Sequence, residues 1–288
     1  MPTLTQQYSF AFNNITFGGS GSPYQILSVD GLEGLPGIRN QDDNRGYADG
    51  MFSGRDFLAG RTIVIIFNTF GTGNNSAQEN FNTIQQALLP QQQGTTPLYF
   101  KLPAQVTQDQ FINARVRALH TTIDPNYTYG YITSQVTFFC PDPSYYNDNL
   151  QTATLAYLPP TGRTYNRVYN LVYDPSTAVI TTTVNNLGWG ITYPTISLVG
   201  PIANPVLGNL TTGDSLHFNV TLTASDTLVV DLYNKLITLN GTPARNLLAY
   251  GTWFDAPPGN SIFTLTGDFG STLINQTAAT ITWYSAYI

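Results

Sequence analysis

Few side chains in this chain have the type and spacing for acid–base, nucleophilic or metal chemistry. The only glutamates are Glu33, between Leu32 and Gly34, and Glu79, which stands three residues after Ser76 as the acidic partner of a helix capping box. No Glu–Glu acid–base pair is therefore expected. The aspartates fall in no glycosidase-type or other catalytic signature, and turns recruit Asp for its own hydrogen bonding. His120 and His217 have no second histidine at ligand or relay spacing. Cys140 is the single cysteine, which removes intramolecular disulfides and multi-cysteine zinc sites and fits a reducing compartment. Gly71-Thr72-Gly73 opens like a dinucleotide fingerprint without its third glycine, and Asp42-Asp43-Asn44 lacks the spacing of an EF-hand. The expectation is a protein with no catalytic residue, no metal and no cofactor: not an enzyme.

Composition points elsewhere. Charged residues make only 10% of the 288-residue chain, against about 25% in an average soluble protein. The net charge of −6 and pI near 4.6 argue against gripping nucleic acid, which needs clustered Lys and Arg to displace counterions. Apolar residues at 42% can fill one or two cores. No basic n-region precedes Arg39, and the longest apolar run, 63–67, is too short for a bilayer, so neither export signal nor membrane insertion is expected. The Asn-x-Ser/Thr sequons at Asn14, Asn74, Asn126, Asn209, Asn219, Asn240 and Asn275 are what an Asn- and Thr-rich chain generates by chance.

The scarce charges are concentrated. Asp30, Glu33, Arg39, Asp42, Asp43, Arg45, Asp49, Arg55, Asp56 and Arg61 interleave both signs within one glycine-rich stretch. Such a stretch cannot make its own core, so it is either a solvated loop or a surface where Arg forks meet a neighbour's carboxylates. The rest of the surface must be mostly Asn, Thr, Gln, Ser and Tyr, a depletion seen in the buried parts of interfaces. Together these features favour a subunit of a large assembly.

The elements that position this stretch read as all-β. Period-two alternation between turn clusters marks strands near 8–12, 24–29, 61–67, 98–101, 111–119 and 135–139. The run 63–67 is apolar on both faces and is expected to be covered from both sides. Ser76-x-x-Glu79, with Phe81, Ile84 and Leu88 at helical spacing and Pro90 beyond, predicts one helix packed on that sheet. The break at Pro141-Asp142-Pro143 places a domain boundary near 145, giving domains 1–145 and 146–288. In the second, strands near 216–222, 227–232, 236–239, 262–265 and 279–287, with a turn at 223–226 and an Asn240-Gly241 hairpin, predict a meander with one buried face.

The segment Gly31-Leu32-Glu33-Gly34-Leu35-Pro36-Gly37-Ile38-Arg39, followed by Arg45, Asp49-Gly50, Gly54-Arg55-Asp56 and Gly60-Arg61, resembles the N-terminal motif of the distal tail proteins, or minor tail proteins, of long-tailed non-contractile phages. Phe138 to Pro143 resembles the end of that family's first domain; 185–200, 207–213, Asp231, Asn240-Gly241, Trp253-Phe254 and Pro258-Gly259-Asn260 resemble its galectin-like second domain. The resemblance implies two β-sandwich or barrel-like domains, the first joining with its copies in a hexameric ring at the distal end of the tail. It further implies contacts to the tail tube protein, the central tip hub and the tape measure protein, assembly in the bacterial cytoplasm, and passage of DNA without sequence-specific binding. The residues expected at the subunit interface are Leu32, Gly34, Leu35, Pro36, Arg39, Arg45, Asp49, Gly50, Gly54, Arg55 and Arg61. Arg61, beside a buried strand, has the alternative of satisfying carbonyls in its own subunit. The rival reading is a carbohydrate-binding module that contacts host wall glycan through Trp189 or Trp253, with Trp283 a lesser candidate.

Overall fold

The computed structural model describes residues 4–71, 76–103, 109–156, 179–269 and 277–288. Thr72, Gly73 and the sequons at Asn74 and Asn275 lie outside the described residues. The chain divides into two compact units, residues 1–148 with Ile288, and residues 149–287. Strands dominate both, with one α-helix among the described residues, so the all-β class holds.

In the first unit the strands are β1 (Ser9–Phe12), β2 (Ile15–Phe17), β3 (Tyr24–Asp30), four two-residue strands β4 (Ile38–Arg39), β5 (Asp43–Asn44), β6 (Met51–Phe52) and β7 (Phe57–Leu58), then β8 (Arg61–Thr69). Helix α1 (Ala77–Ala87), β9 (Thr96–Lys101), β10 (Gln110–Thr122), β11 (Ile132–Cys140) and β12 (Tyr145–Asn147) follow. The sheet runs β2-β1-β9-β10-β11-β8-β3, with β12 also on β10. Residues 110–114 of β10 pair with β9 and residues 115–122 with β11, and the register shifts between Val116 and Ala118. Such a bulge bends a strand and lets one strand serve two pairings around one core.

That core is aromatic: Phe12 meets Phe138 at 5.0 Å and Phe17 meets Phe67 at 5.1 Å between ring centroids. The capping box forms as expected, with Glu79 Oε2 accepting from the Ser76 backbone N–H at 2.6 Å and the Ser76 hydroxyl accepting from the Glu79 N–H at 3.2 Å. These bonds stabilise the carboxylate and hold the Glu79 pKa below its ordinary value. Phe81, Ile84 and Leu88 join the same buried cluster as Ile63, Ile65 and Phe67. The helix thus covers the face of β8 that the aromatic core already fills. The expected two-sided burial of 63–67 is not met: Val64 and Ile66, on the opposite face, are half-buried.

The second unit contains β13 (Gln151–Ala156), β14 (Ile180–Asn186), β15 (Thr195–Val199), β16 (Ile202–Asn209), β17 (Asp214–Phe218), β18 (Thr221–Leu222) and β19 (Thr227–Asp231). β20 (Leu236–Leu239), β21 (Thr242–Pro243), β22 (Leu248–Gly251), β23 (Gly259–Phe269) and β24 (Thr277–Trp283) complete it. One sheet is ordered β13-β24-β15-β19-β20-β21 and the other β14-β23-β16-β17-β22, with β18 on β16. Leu198, Leu228, Val230 and Ile281 of the first sheet and Leu207, Leu216, Phe218 and Phe263 of the second share one core. This is the β-sandwich that the resemblance implies, and it corrects only the single-faced meander read from the alternation. The turn at 223–226 does not close a hairpin between β17–β18 and β19; it carries the chain from one sheet to the other. Asp226 holds that turn, accepting from the Thr223 N–H and hydroxyl at 2.8 and 2.6 Å and from Asn240 Nδ2 at 2.8 Å. The Asn240-Gly241 hairpin forms with φ of 50° and 81°, the pair of positive values that a type I′ turn needs.

Candidate assembly interface

The charged segment folds as one projecting hairpin. Ile38 pairs with Leu58 and Arg39 with Phe57; farther out, Asp43 pairs with Phe52 and Asn44 with Met51. The chain reverses across 45–50, where the Arg45 N–H reaches the Gly50 carbonyl at 3.3 Å and Gly50 takes φ of 95°. Asp42 ties the two legs, its Oδ1 accepting from the Gly54 N–H at 2.8 Å. A Cβ on Gly54 would stand 1.9 Å from the Gln41 carbonyl oxygen, so the legs close only around a glycine.

The arm exposes side chains that a soluble loop would not. Leu35 is 79% exposed and Phe52 60%, while Ile38, Tyr47 and Met51 are exposed as well. Arginine stands over the rings: Arg45 lies 5.1 Å from the Phe52 centroid, and Arg39 and Arg55 lie 5.6 and 5.1 Å from that of Phe57. Each such pair holds a cation against an apolar face. No carboxylate of the described residues forms a salt bridge with these three guanidinium groups. Their forks keep donors for a partner.

Arg61 is a different case. It is buried, and its Nη1 donates to the carbonyls of Leu32, of Gly34 at 3.0 Å and of Gly31 at 3.3 Å, while Nε donates to Pro143 at 3.3 Å. Burial lowers its pKa from the ordinary arginine value. The expected place of Arg61 at a subunit contact is therefore corrected: it fastens the root of the arm inside its own unit. Leu32 and Pro36 are buried with it, Leu32 within the core cluster, so neither presents itself to a neighbour. Gly34, Leu35, Arg39, Arg45, Asp49, Gly50, Gly54 and Arg55 are all exposed along or just before the arm. The aromatic and aliphatic members Ile38, Tyr47, Met51, Phe52 and Phe57 were not singled out from sequence. Their signal is the near-symmetric placement of Arg and Phe about Asp49-Gly50.

The tryptophans of the second unit separate by environment. Trp283 is buried, its Nε1–H donating to the Asn185 carbonyl at 3.0 Å. Trp253 is half-buried against the core with Arg245 4.7 Å from its ring centroid. Trp189 is 63% exposed and meets the Tyr287 ring edge-on at 4.7 Å. His217 stacks on Tyr250 at 4.2 Å and shares a 3.0 Å hydrogen bond with the Ser215 hydroxyl. Cys140 is fully buried in β11, and burial pushes its thiol pKa up to about 12.

Residues 188–287 match the family described as siphovirus-type tail component, C-terminal domain. Comparison with curated proteins finds no match. Among solved structures, the SPP1 Dit (gp 19.1) protein, described as a paradigm of the hub adsorption apparatus in phages infecting Gram-positive bacteria, aligns with a TM-score of 0.65 and 15% identity, over 97% of this chain and 99% of that one. A chain of the phage P2 baseplate in its activated conformation with Ca aligns at TM-score 0.50 and 11% identity, over 96% and 97%. Its counterpart with Sr aligns at 0.50 and 13%, over the same shares. At these identities the solved structures speak for the fold, and the family match speaks for the second unit. Together they bear out the resemblance to distal tail proteins: the second unit matches a siphovirus-type tail component, and the chain as a whole shares the fold of the SPP1 Dit protein.

Proposed function

We propose that this chain is the distal tail hub subunit of a long-tailed phage, that six copies close into a ring, and that the ring joins the tail tube to the tip proteins while leaving a channel for DNA. The observation that carries this reading is the arm. It is anchored by Arg61 and presents uncovered apolar side chains over residues 38–58, with guanidinium groups over the Phe52 and Phe57 rings. Covering Leu35, Ile38, Met51 and Phe52 on a neighbour contributes on the order of 1–2 kcal/mol each. A ring built head to tail repeats that gain at every junction, since each subunit donates one surface and accepts on another. The net charge of −6 suits passage of a polyanion without retention. Within this reading the copies meet the tube protein on one ring face and the central hub and tape measure protein on the other. Assembly takes place in the bacterial cytoplasm, where the buried free thiol of Cys140 stays reduced.

The test is the mass of the full-length protein, alone and on tails, with Arg39→Glu and Arg45→Glu combined. Wild type should form a hexamer, in solution or on the tail, and the double variant should remain a folded monomer. Normal particle assembly by the double variant refutes the arm as the contact. A wall-glycan reading rests on Trp189 alone; retention of a monomer on purified cell-wall glycan, lost in Trp189→Ala, would favour it.

A further inference from the structure

Helix α1 ends in an open groove. The groove is about 580 Å³ and is lined by Asn82, Gln85, Leu88, Leu89, Val116 and Leu119, among others. Leu88 is buried at its floor, while Leu89 at its rim is 64% exposed. No charged side chain lines it. The last turn of α1 carries no basic residue, so the partial negative charge of the helix end is not offset from within the helix. The groove therefore pairs an apolar slot and amide side chains with the negative pole of a helix whose Ala87 carbonyl accepts from Asn13 Nδ2 at 3.0 Å but which no cation of the groove lining meets.

The arm carries the complement. Phe52 supplies an apolar ring and Arg45, 5.1 Å from its centroid, a cation that travels with it. A cation set at a helix C-terminus is favourable, and more so where the site is partly buried. Phe52 and Leu89 are both exposed in the same chain, so the arm does not fill its own groove. The two surfaces satisfy one another only between copies.

We propose that the arm of one copy docks in the α1–β10 groove of the next, with Phe52 between Leu89 and Leu119 and the Arg45 guanidinium at the C-terminal end of α1. This deepens the ring reading and rests on it: the arm is the donor surface and the groove the acceptor of a head-to-tail contact.

The test uses the full chain. Benzophenone-alanine replaces Phe52, the protein is irradiated, and the cross-linked peptides are mapped; in parallel, association of Leu89→Arg is measured. Leu89 is exposed, so Leu89→Arg leaves the monomer melting temperature unchanged while placing a cation against Arg45. The expected result is an inter-subunit cross-link into residues 82–90 or 116–119 and an association at least tenfold weaker for Leu89→Arg. Inter-subunit cross-links that map elsewhere, with Leu89→Arg assembling like wild type, overturn the docking site and leave the ring standing. A wild-type chain that stays monomeric both in solution and on tails overturns the ring and the docking site together.

Discussion

Removing the root of the arm should loosen the first unit, and the lone cysteine offers a direct readout. Arg61 donates to four carbonyls, but three of them share one nitrogen, so the set counts as about two full hydrogen bonds. Bonds from a charged donor contribute about 1.5–3 kcal/mol each. The cost of burying a cation offsets part of this, which leaves a net loss of about 3 kcal/mol for Arg61→Ala. Arg61 pairs with Cys140 across β8 and β11, and Cys140 is fully buried with its thiol pKa near 12, so a thiol reagent reaches it only through opening of the unit. A loss of about 3 kcal/mol makes labelling about a hundredfold faster under native conditions. The direct electrostatic effect has the opposite sign. The Arg61 charge lowers the Cys140 pKa, so its removal makes the closed-state thiol less reactive, and any acceleration reports opening. Arg61→Lys, which keeps the charge and fewer donors, should fall between. The three tryptophans all lie in the second unit, so its fluorescence-detected unfolding should not move. A labelling rate within threefold of wild type in Arg61→Ala would refute the clamp.

Three further outcomes follow from local geometry. Gly54→Ala should open the arm, because its Cβ meets the Gln41 carbonyl at 1.9 Å; oligomer mass should fall to the monomer while Cys140 labelling stays near wild type. Asp226 accepts three hydrogen bonds that hold its pKa down to about 2, below the unfolded value, so its contribution is present above about pH 4 and is lost as pH falls towards 2. Asp226→Asn should flatten that part of the pH profile of the second unit's denaturation midpoint, read by tryptophan fluorescence. Ser76→Ala should cost about 1 kcal/mol of first-unit stability by breaking the cap on both sides, seen as faster Cys140 labelling at neutral pH.

Features that depend on neighbours a few residues apart could be read before any fold was known. The capping box of α1 and the Asn240-Gly241 turn are local hydrogen bonding and local backbone preference, so both were legible. The alternation of β17 was legible too, because its period fixes which side chains share a face. Which sheet that strand joins was not, since two sheets that share a core show the same alternation as one sheet over it, and only pairing between distant residues distinguishes them. The same holds for the four arginines of the charged stretch. Arg39, Arg45, Arg55 and Arg61 stand in similar glycine-rich company, yet three lie on an exposed arm and the fourth is enclosed. Burial is set by how β8 sits under Gly31, Leu32 and Pro143, segments as far as 82 residues away, and no pattern around Arg61 itself encodes that. Tertiary structure alone decided which cation holds the arm and which cations the arm offers.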